Sequence, residues 1–145
     1  MKPSLIIIFL LLVALPVEGK VFEPSTPARY VEALEIADSF LWAWVQRDAD
    51  TGFKLISRGL SSKLKQKKKE EWFKQYMIGL SNPHHSSFEI SSGKEINPKR
   101  LAFPVTLYEY YNGEPGAYQY RSKIEVILEG DSWRVDVLPL TADNQ

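Results

Sequence analysis

From Tyr118 onward the chain alternates. Tyr118, Tyr120, Ser122, Ile124, Val126 and Leu128 take every second position, with Gln119, Arg121, Lys123 and Glu125 between them. Gly130-Asp131 interrupts the pattern, and Trp133, Val135 and Val137 resume it. A period of two is that of a strand with one buried and one wet face. A glycine opening a two-residue connection suits a tight hairpin. Setting Glu129 opposite Ser132 pairs Leu128 with Trp133, Val126 with Val135 and Ile124 with Val137, so one face of the hairpin is apolar throughout. Such a face needs a second layer to cover it.

The first half supplies that layer at helical spacing. Thr26-Pro27 has the form of an N-cap followed by proline at the first helical position. Leu34, Ala37, Leu41, Trp44 and Val45 then define a long amphipathic helix ending near Asp48, with Phe40 widening its apolar face. Asp50 opens a shorter helix with Phe53, Ile56 and Leu60 on one side. The basic run from Lys63 to Lys69 reads as a solvated linker. Glu70-Glu71 begins a third helix bearing Trp72, Phe73, Tyr76, Met77 and Leu80, which Ser81-Asn82-Pro83 stops. Two further strands follow, one marked by Phe88 and Ile90 and one by Phe103, Val105, Leu107, Glu109 and Tyr111, with Pro104 a misfit that suggests an edge or bulge. The class is α+β, with three N-terminal helices on a four-stranded antiparallel sheet.

Charge and composition narrow the functions. Lys plus Arg number 18 and Asp plus Glu 18, so the electrostatic footprint of a nucleic-acid binder is missing. The chain has no cysteine, which excludes disulfides, thiolate metal sites and a cysteine nucleophile. Its two histidines, His84 and His85, are adjacent, and neighbours in extended chain point apart, so the expectation is an exposed loop and no metal or other cofactor. At the N-terminus, Lys2, an apolar run over 5–15, Pro16 and Gly19 form the three-part pattern of a secretory signal peptide. The expected organisation is a signal peptide over 1–19, a tether over 20–26, a folded domain over 27–139 and a tail over 140–145. An exported location follows, periplasmic or secreted, with no stable membrane span after cleavage, because the apolar run is shorter than the roughly 20 residues a span needs.

The order of elements, with Ala37-x-x-Phe40-x-x-Ala43-x-x-x-Arg47-Asp48, Leu55-Ile56-Ser57 and the closing Glu129-Gly130-Asp131-Ser132-Trp133-Arg134-Val135, resembles the nuclear transport factor 2-like (SnoaL-like, cystatin-like) superfamily. The resemblance implies a curved sheet wrapped around the long helix as a cone with a cavity. The same cone serves isomerases, dehydratases, epoxide hydrolases and many non-catalytic exported modules, so fold alone implies little about function.

Candidate site residues follow from strand parity. With Tyr111 set opposite Tyr118, Glu109 faces Tyr120 and Leu107 faces Ser122. Glu109, Tyr111, Tyr118 and Tyr120 then gather at one end of the inward face, with Trp44 or Phe40 from the helix as floor. A carboxylate among tyrosines could bind the polar group of a small apolar ligand or act as a base; at an end open to water it would be a rim residue. Asp38 borders the helix stripe and is the other candidate base, or else a boundary carboxylate paired with Arg29 or Lys54. Trp44, Trp72 and Trp133 fall on core faces, and Trp42 lies off the stripe. No recognisable catalytic set is present, which favours an exported, non-catalytic domain that binds a small apolar ligand or a partner protein. The alternatives are a small cone-pocket lyase, isomerase or hydrolase using Glu109 or Asp38, and an assembly subunit of an envelope machine. Tyr108, Tyr110, Ile127 and Leu138 on the outward face suggest a homodimer.

Overall fold

The structure, a computed structural model, describes residues 27–79, 84–113 and 115–140, with His84 by its backbone alone. The expected signal peptide, tether and Thr26 cap, together with Leu80 to Pro83 and 141–145 of the tail, lie outside the described residues. Among those described, no helix is long and apolar enough to cross a membrane.

Among the described residues four helices precede five strands: α1 Ala28–Val45, α2 Ala49–Leu55, α3 Arg58–Gln66, α4 Glu70–Ile78, then β1 His84–Ile90, β2 Lys94–Asn97, β3 Arg100–Tyr110, β4 Ala117–Glu129 and β5 Ser132–Val137. The sheet is antiparallel in the order β1-β3-β4-β5, with β2 folded back on the start of β3. The architecture is the expected α+β layer with one more helix and one more strand. The added helix comes from the segment read as one helix and a lysine linker. Ile56 is extended and bridges Val135, Ser57 N–H donates to the Val135 carbonyl at 2.7 Å, and the Ser57 hydroxyl caps α3 by accepting from Leu60 N–H. The helix therefore breaks where the chain pairs briefly with the sheet edge, and it restarts through the basic run. Asp48, not Asp50, caps α2, accepting from Thr51 N–H at 3.0 Å. Gly52 lets α2 approach α4, because a Cβ there would run into the end of Met77.

α1 crosses the concave face. Phe40, Leu41 and Trp44 are buried against Phe103, Leu107, Ile124, Val126, Trp133 and Val135, while Leu34 and Leu128 are half-buried at the margin. The β4–β5 hairpin pairs Leu128 with Trp133 and Val126 with Val135 as the sequence predicts, and Gly130 has the positive φ that its turn needs. A bulge after Val126 then sets Glu125, not Ile124, opposite Val137. The β3–β4 register is shifted by two residues from the expected one: Glu109 pairs with Tyr118 and Leu107 with Tyr120. Tyr111 lies just beyond the strand, in the loop that Gly113 and Gly116 shape at positive φ. A two-residue slip keeps every side chain on its predicted face. Leu138 is buried, not outward-facing, so only Tyr108, Tyr110 and Ile127 remain of the proposed dimer face.

On the outer face, β3, β4 and β5 contribute a row of charges. Arg100 donates to Glu125 at 2.9 Å and to Asp136 at 2.6 Å, Lys123 donates to Glu125 at 2.7 Å, and the Ser57 hydroxyl donates to Asp136 at 2.5 Å. The hydrogen bond from Lys123 holds the Glu125 carboxyl below its usual range, against burial and with help from Arg100. Burial pushes Asp136 up, but the bonds from Ser57 and Arg100 outweigh it and leave that carboxyl lowered too. A carboxyl lowered by folding stabilises the fold above its unfolded-state pKa, about 4, and loses that contribution as pH falls through the lower folded-state value. The urea midpoint should accordingly fall more steeply below pH 4 in the natural chain than in an Asp136→Asn variant. Arg100→Ala, which strands two carboxylates together, should cost about 3 kcal/mol at pH 7; a loss within the surface range, about 0.5 kcal/mol, would show that the row does not hold the sheet.

Candidate functional site

β1 lies beside β3, and its phase is reset by a bulge between His85 and Ser87. Phe88 pairs with Leu107 and Ile90 with Val105 on the concave side. Simple alternation from these two would send Ser86 inward. The extra residue of the bulge turns His85 inward instead, opposite Glu109. The expectation of an exposed loop at His84-His85 is thereby corrected: both are on β1, and the His85 side chain is only 4% exposed.

Three contacts fix the His85 ring. It stacks on Trp44, with centroids 3.7 Å apart and planes 14° from parallel. Nδ1 lies 2.9 Å from the Trp44 carbonyl oxygen; a carbonyl can only accept, so Nδ1 carries a proton and donates. Nε2 then faces Glu109, 3.6 Å from Oε1. With Nδ1–H committed, a proton between Nε2 and Oε1 belongs either to an imidazolium beside a carboxylate or to a carboxylic acid beside a neutral ring. Glu109 itself is 2% exposed. The last turn of α1 lies on one side of the ring and the carboxylate on the other.

Tyr76 of α4 completes the surroundings. It is buried, and its hydroxyl donates to the Pro139 carbonyl at 2.6 Å. Burial first, and then the charge of Glu109, push its hydroxyl pKa well above the usual tyrosine value, so Tyr76 stays protonated. At the rim, Tyr111 and Tyr118 meet edge to face at 4.9 Å, and the Tyr111 and Tyr120 hydroxyls are 3.5 Å apart. The inward face of β4 is buried at Ile124 and Val126, whereas Tyr120 and Ser122 are half-buried and Tyr118 is 45% exposed.

The structure therefore brings Glu109 and Trp44 together through His85, and it groups Tyr111, Tyr118 and Tyr120 at the same end of the sheet. Asp38 is not joined to them. It sits on α1 about 9 Å along the axis from Trp44, and burial raises its carboxyl pKa. Neither Arg29 nor Lys54 forms an ion pair with it among the described residues; Arg29 lies instead over the Trp133 ring at 6.0 Å. Trp42 is 52% exposed and meets Phe88 edge-on. Sequence reasoning passed over His85 and the proximity of Tyr76, since neither bulges nor helix orientation show in the periodicity. Among the described residues no group of three His, Asp or Glu side chains is placed to hold a metal.

No protein-family model and no curated protein matches the sequence. Solved structures do. A domain of unknown function with a cystatin-like fold from Nostoc punctiforme is 11% identical, with a TM-score of 0.56 over 81% of this chain and 82% of that one. A protein from Campylobacter jejuni, provisionally described as an NTF2-like transpeptidase, is 13% identical, with a TM-score of 0.53 over 72% of this chain and 97% of the other. A SEC-C motif containing protein from Rhodopseudomonas palustris is 9% identical, with a TM-score of 0.55 over 73% of this chain and 77% of that chain. Identities this low speak to architecture alone, and on that evidence the chain has the nuclear transport factor 2-like, cystatin-like fold.

Proposed function

We propose that this chain is an exported domain that binds a small, largely apolar ligand at the Glu109 end of the cone, with the His85–Glu109 pair meeting the ligand's polar group. The observation that carries the reading is the placing of that pair. Two ionisable side chains, 4% and 2% exposed, face each other inside an otherwise apolar wall. Burying such a pair costs more than an apolar filling would, and a few polar groups converging in an apolar wall are the usual form of a ligand site. The half-buried Tyr120 and exposed Tyr118 mark the side from which a ligand would enter. The same pair supports a second reading, general acid–base catalysis with Glu109 as base and His85 or a rim tyrosine as donor; it favours Glu109 over Asp38 for that role.

A panel of lipophilic compounds screened by thermal shift separates these readings. A compound that raises the melting temperature of the natural chain should do so much less with Glu109→Gln, which keeps the shape and removes the charge. Tyr120→Ala, which opens the wall, should weaken the effect as well. Turnover of the bound compound, abolished by Glu109→Gln, selects the catalytic reading. Equal shifts in all three proteins would place binding elsewhere.

Export rests on Lys2, the apolar run over 5–15, Pro16 and Gly19. Mass spectrometry of the protein from its own host should find a mature chain starting at Lys20 outside the cytoplasm. Full-length chain, soluble in the cytoplasm, would contradict it. The outward Tyr108 and Tyr110 support a homodimer through the sheet, as members of this superfamily often form, and light scattering at micromolar concentration reads that directly.

A further inference from the structure

Part of the lysine run from Lys63 to Lys69 lies on α3 and lines a groove. Leu60, Lys63, Leu64 and Lys67 follow one another at helical spacing, so they form one strip along α3 and its cap. That strip makes one wall of a groove of about 280 Å³. Trp72 of α4, with Val137, Leu138 and Leu140 from β5 and the segment after it, completes the apolar lining. The lining is mainly apolar, and its cations, Lys63, Lys67 and Lys69, all come from α3 and the turn after it. None of the three forms an ion pair with a carboxylate among the described residues. The one carboxylate in the lining, Asp136, is hydrogen-bonded by Ser57 and Arg100, and the charge of Lys63 helps to hold it lowered.

Two features fix the lining. The Pro139–Leu140 segment is held from two sides, by the Tyr76 hydroxyl on the Pro139 carbonyl at 2.6 Å and by Leu140 N–H on the Ser122 hydroxyl at 3.0 Å. The lysine-bearing turn is closed by Lys69 N–H on the Leu64 carbonyl at 2.8 Å, with Lys68 in the left-handed region at φ 53°. Glycine ordinarily takes that position, so the turn keeps a lysine at a backbone cost. Lys69 Nζ lies 5.6 Å from the centre of the Trp72 ring, which places a cation beside the apolar lining.

We propose that this groove binds a single-chain amphiphile: an aliphatic chain lying on Leu60, Leu64, Trp72, Leu138 and Leu140, with a carboxylate or phosphate head held by Lys63, Lys67 and Lys69. Apolar walls with cations along one rim match that chemistry, and the volume, at the lower edge for small-molecule sites, suits a chain of moderate length. The site shares no lining residue with the Glu109 end and stands whether or not that end binds a ligand.

Calorimetry on the full chain with decanoate, kept below its micelle concentration, tests the proposal. Saturable binding at one per chain is expected. Butyrate, which has the head without the chain, and decanol, which has the chain without the head, should each bind at least roughly tenfold more weakly, the loss expected when charge-assisted hydrogen bonds or the apolar contact are removed. The combined Lys63→Gln, Lys67→Gln and Lys69→Gln variant should lose a similar factor while melting as the natural chain does, and Leu140→Gln should weaken binding through the apolar lining. Decyl phosphate should replace decanoate. Undiminished binding by the triple lysine variant would overturn the proposal. So would loss of binding in Glu109→Gln, which would move the ligand into the cone. Binding to phosphatidylglycerol vesicles with no saturable binding of free decanoate or decyl phosphate would overturn it too, since the lysines would then be a membrane-surface patch.

Discussion

The carbonyl of Trp44 lies in the last turn of α1, where helix carbonyls have no partner within the helix. It receives two donors from outside: the Arg47 N–H at 3.2 Å, from a residue turned into the left-handed region, and the His85 Nδ1–H at 2.9 Å. The second is the contact on which the concave face depends at this end. It ties the C-terminus of the helix to β1, it decides which ring nitrogen of His85 is left to meet Glu109, and it sets the imidazole flat on the indole of Trp44. Without it, Glu109 would be a carboxylate buried in an apolar wall opposite a ring free to turn away. With it, the pair has one geometry.

Two charged systems lie on opposite faces of the same sheet, and their construction differs. On the outer face Arg100 answers two carboxylates with bonds of 2.6 and 2.9 Å, and Lys123 and Ser57 take up remaining oxygens. That row crosses three strands and the α2–α3 link, and its geometry is that of a structural clamp. The inner pair is looser, at 3.6 Å, longer than a good hydrogen bond, and buried more deeply. Contacts of that kind tighten when a substrate or ligand completes them. The contrast is why the inner pair carries the functional reading and the outer row the stability reading.

Much of the fold was legible because its code is periodicity. The Leu128–Trp133 and Val126–Val135 pairs, the buried stripe through Phe40, Leu41 and Trp44 and the inward direction of Glu109 all follow from a period of two or of 3.6, and the Glu70 helix start from its paired carboxylates. The parts that were not legible are those where the period is broken by a single residue. One extra residue at Ser86 exchanges the faces of β1 and turns a histidine into the core. Another, Asp136 on β5, brings Glu125 opposite Val137 where even alternation would have set Ile124. Ile56 and Ser57 leave the helix to pair with Val135 because the sheet edge offers them partners, a tertiary gain that local spacing does not encode. The tyrosine end was placed correctly by parity yet two residues out in register, since parity is blind to a slip of two.

The central claim is that His85 is held inside the concave face between the Trp44 carbonyl and Glu109. Nitrogen-15 NMR of the imidazole rings tests it most directly, with a His84→Gln variant to isolate the His85 signals. The expected result is a protonated Nδ1 whose hydrogen exchanges slowly, with an Nε2 resonance that moves on Glu109→Gln. A ring carrying its proton on Nε2 in the neutral form, exchanging rapidly with water and indifferent to Glu109→Gln, would contradict the account.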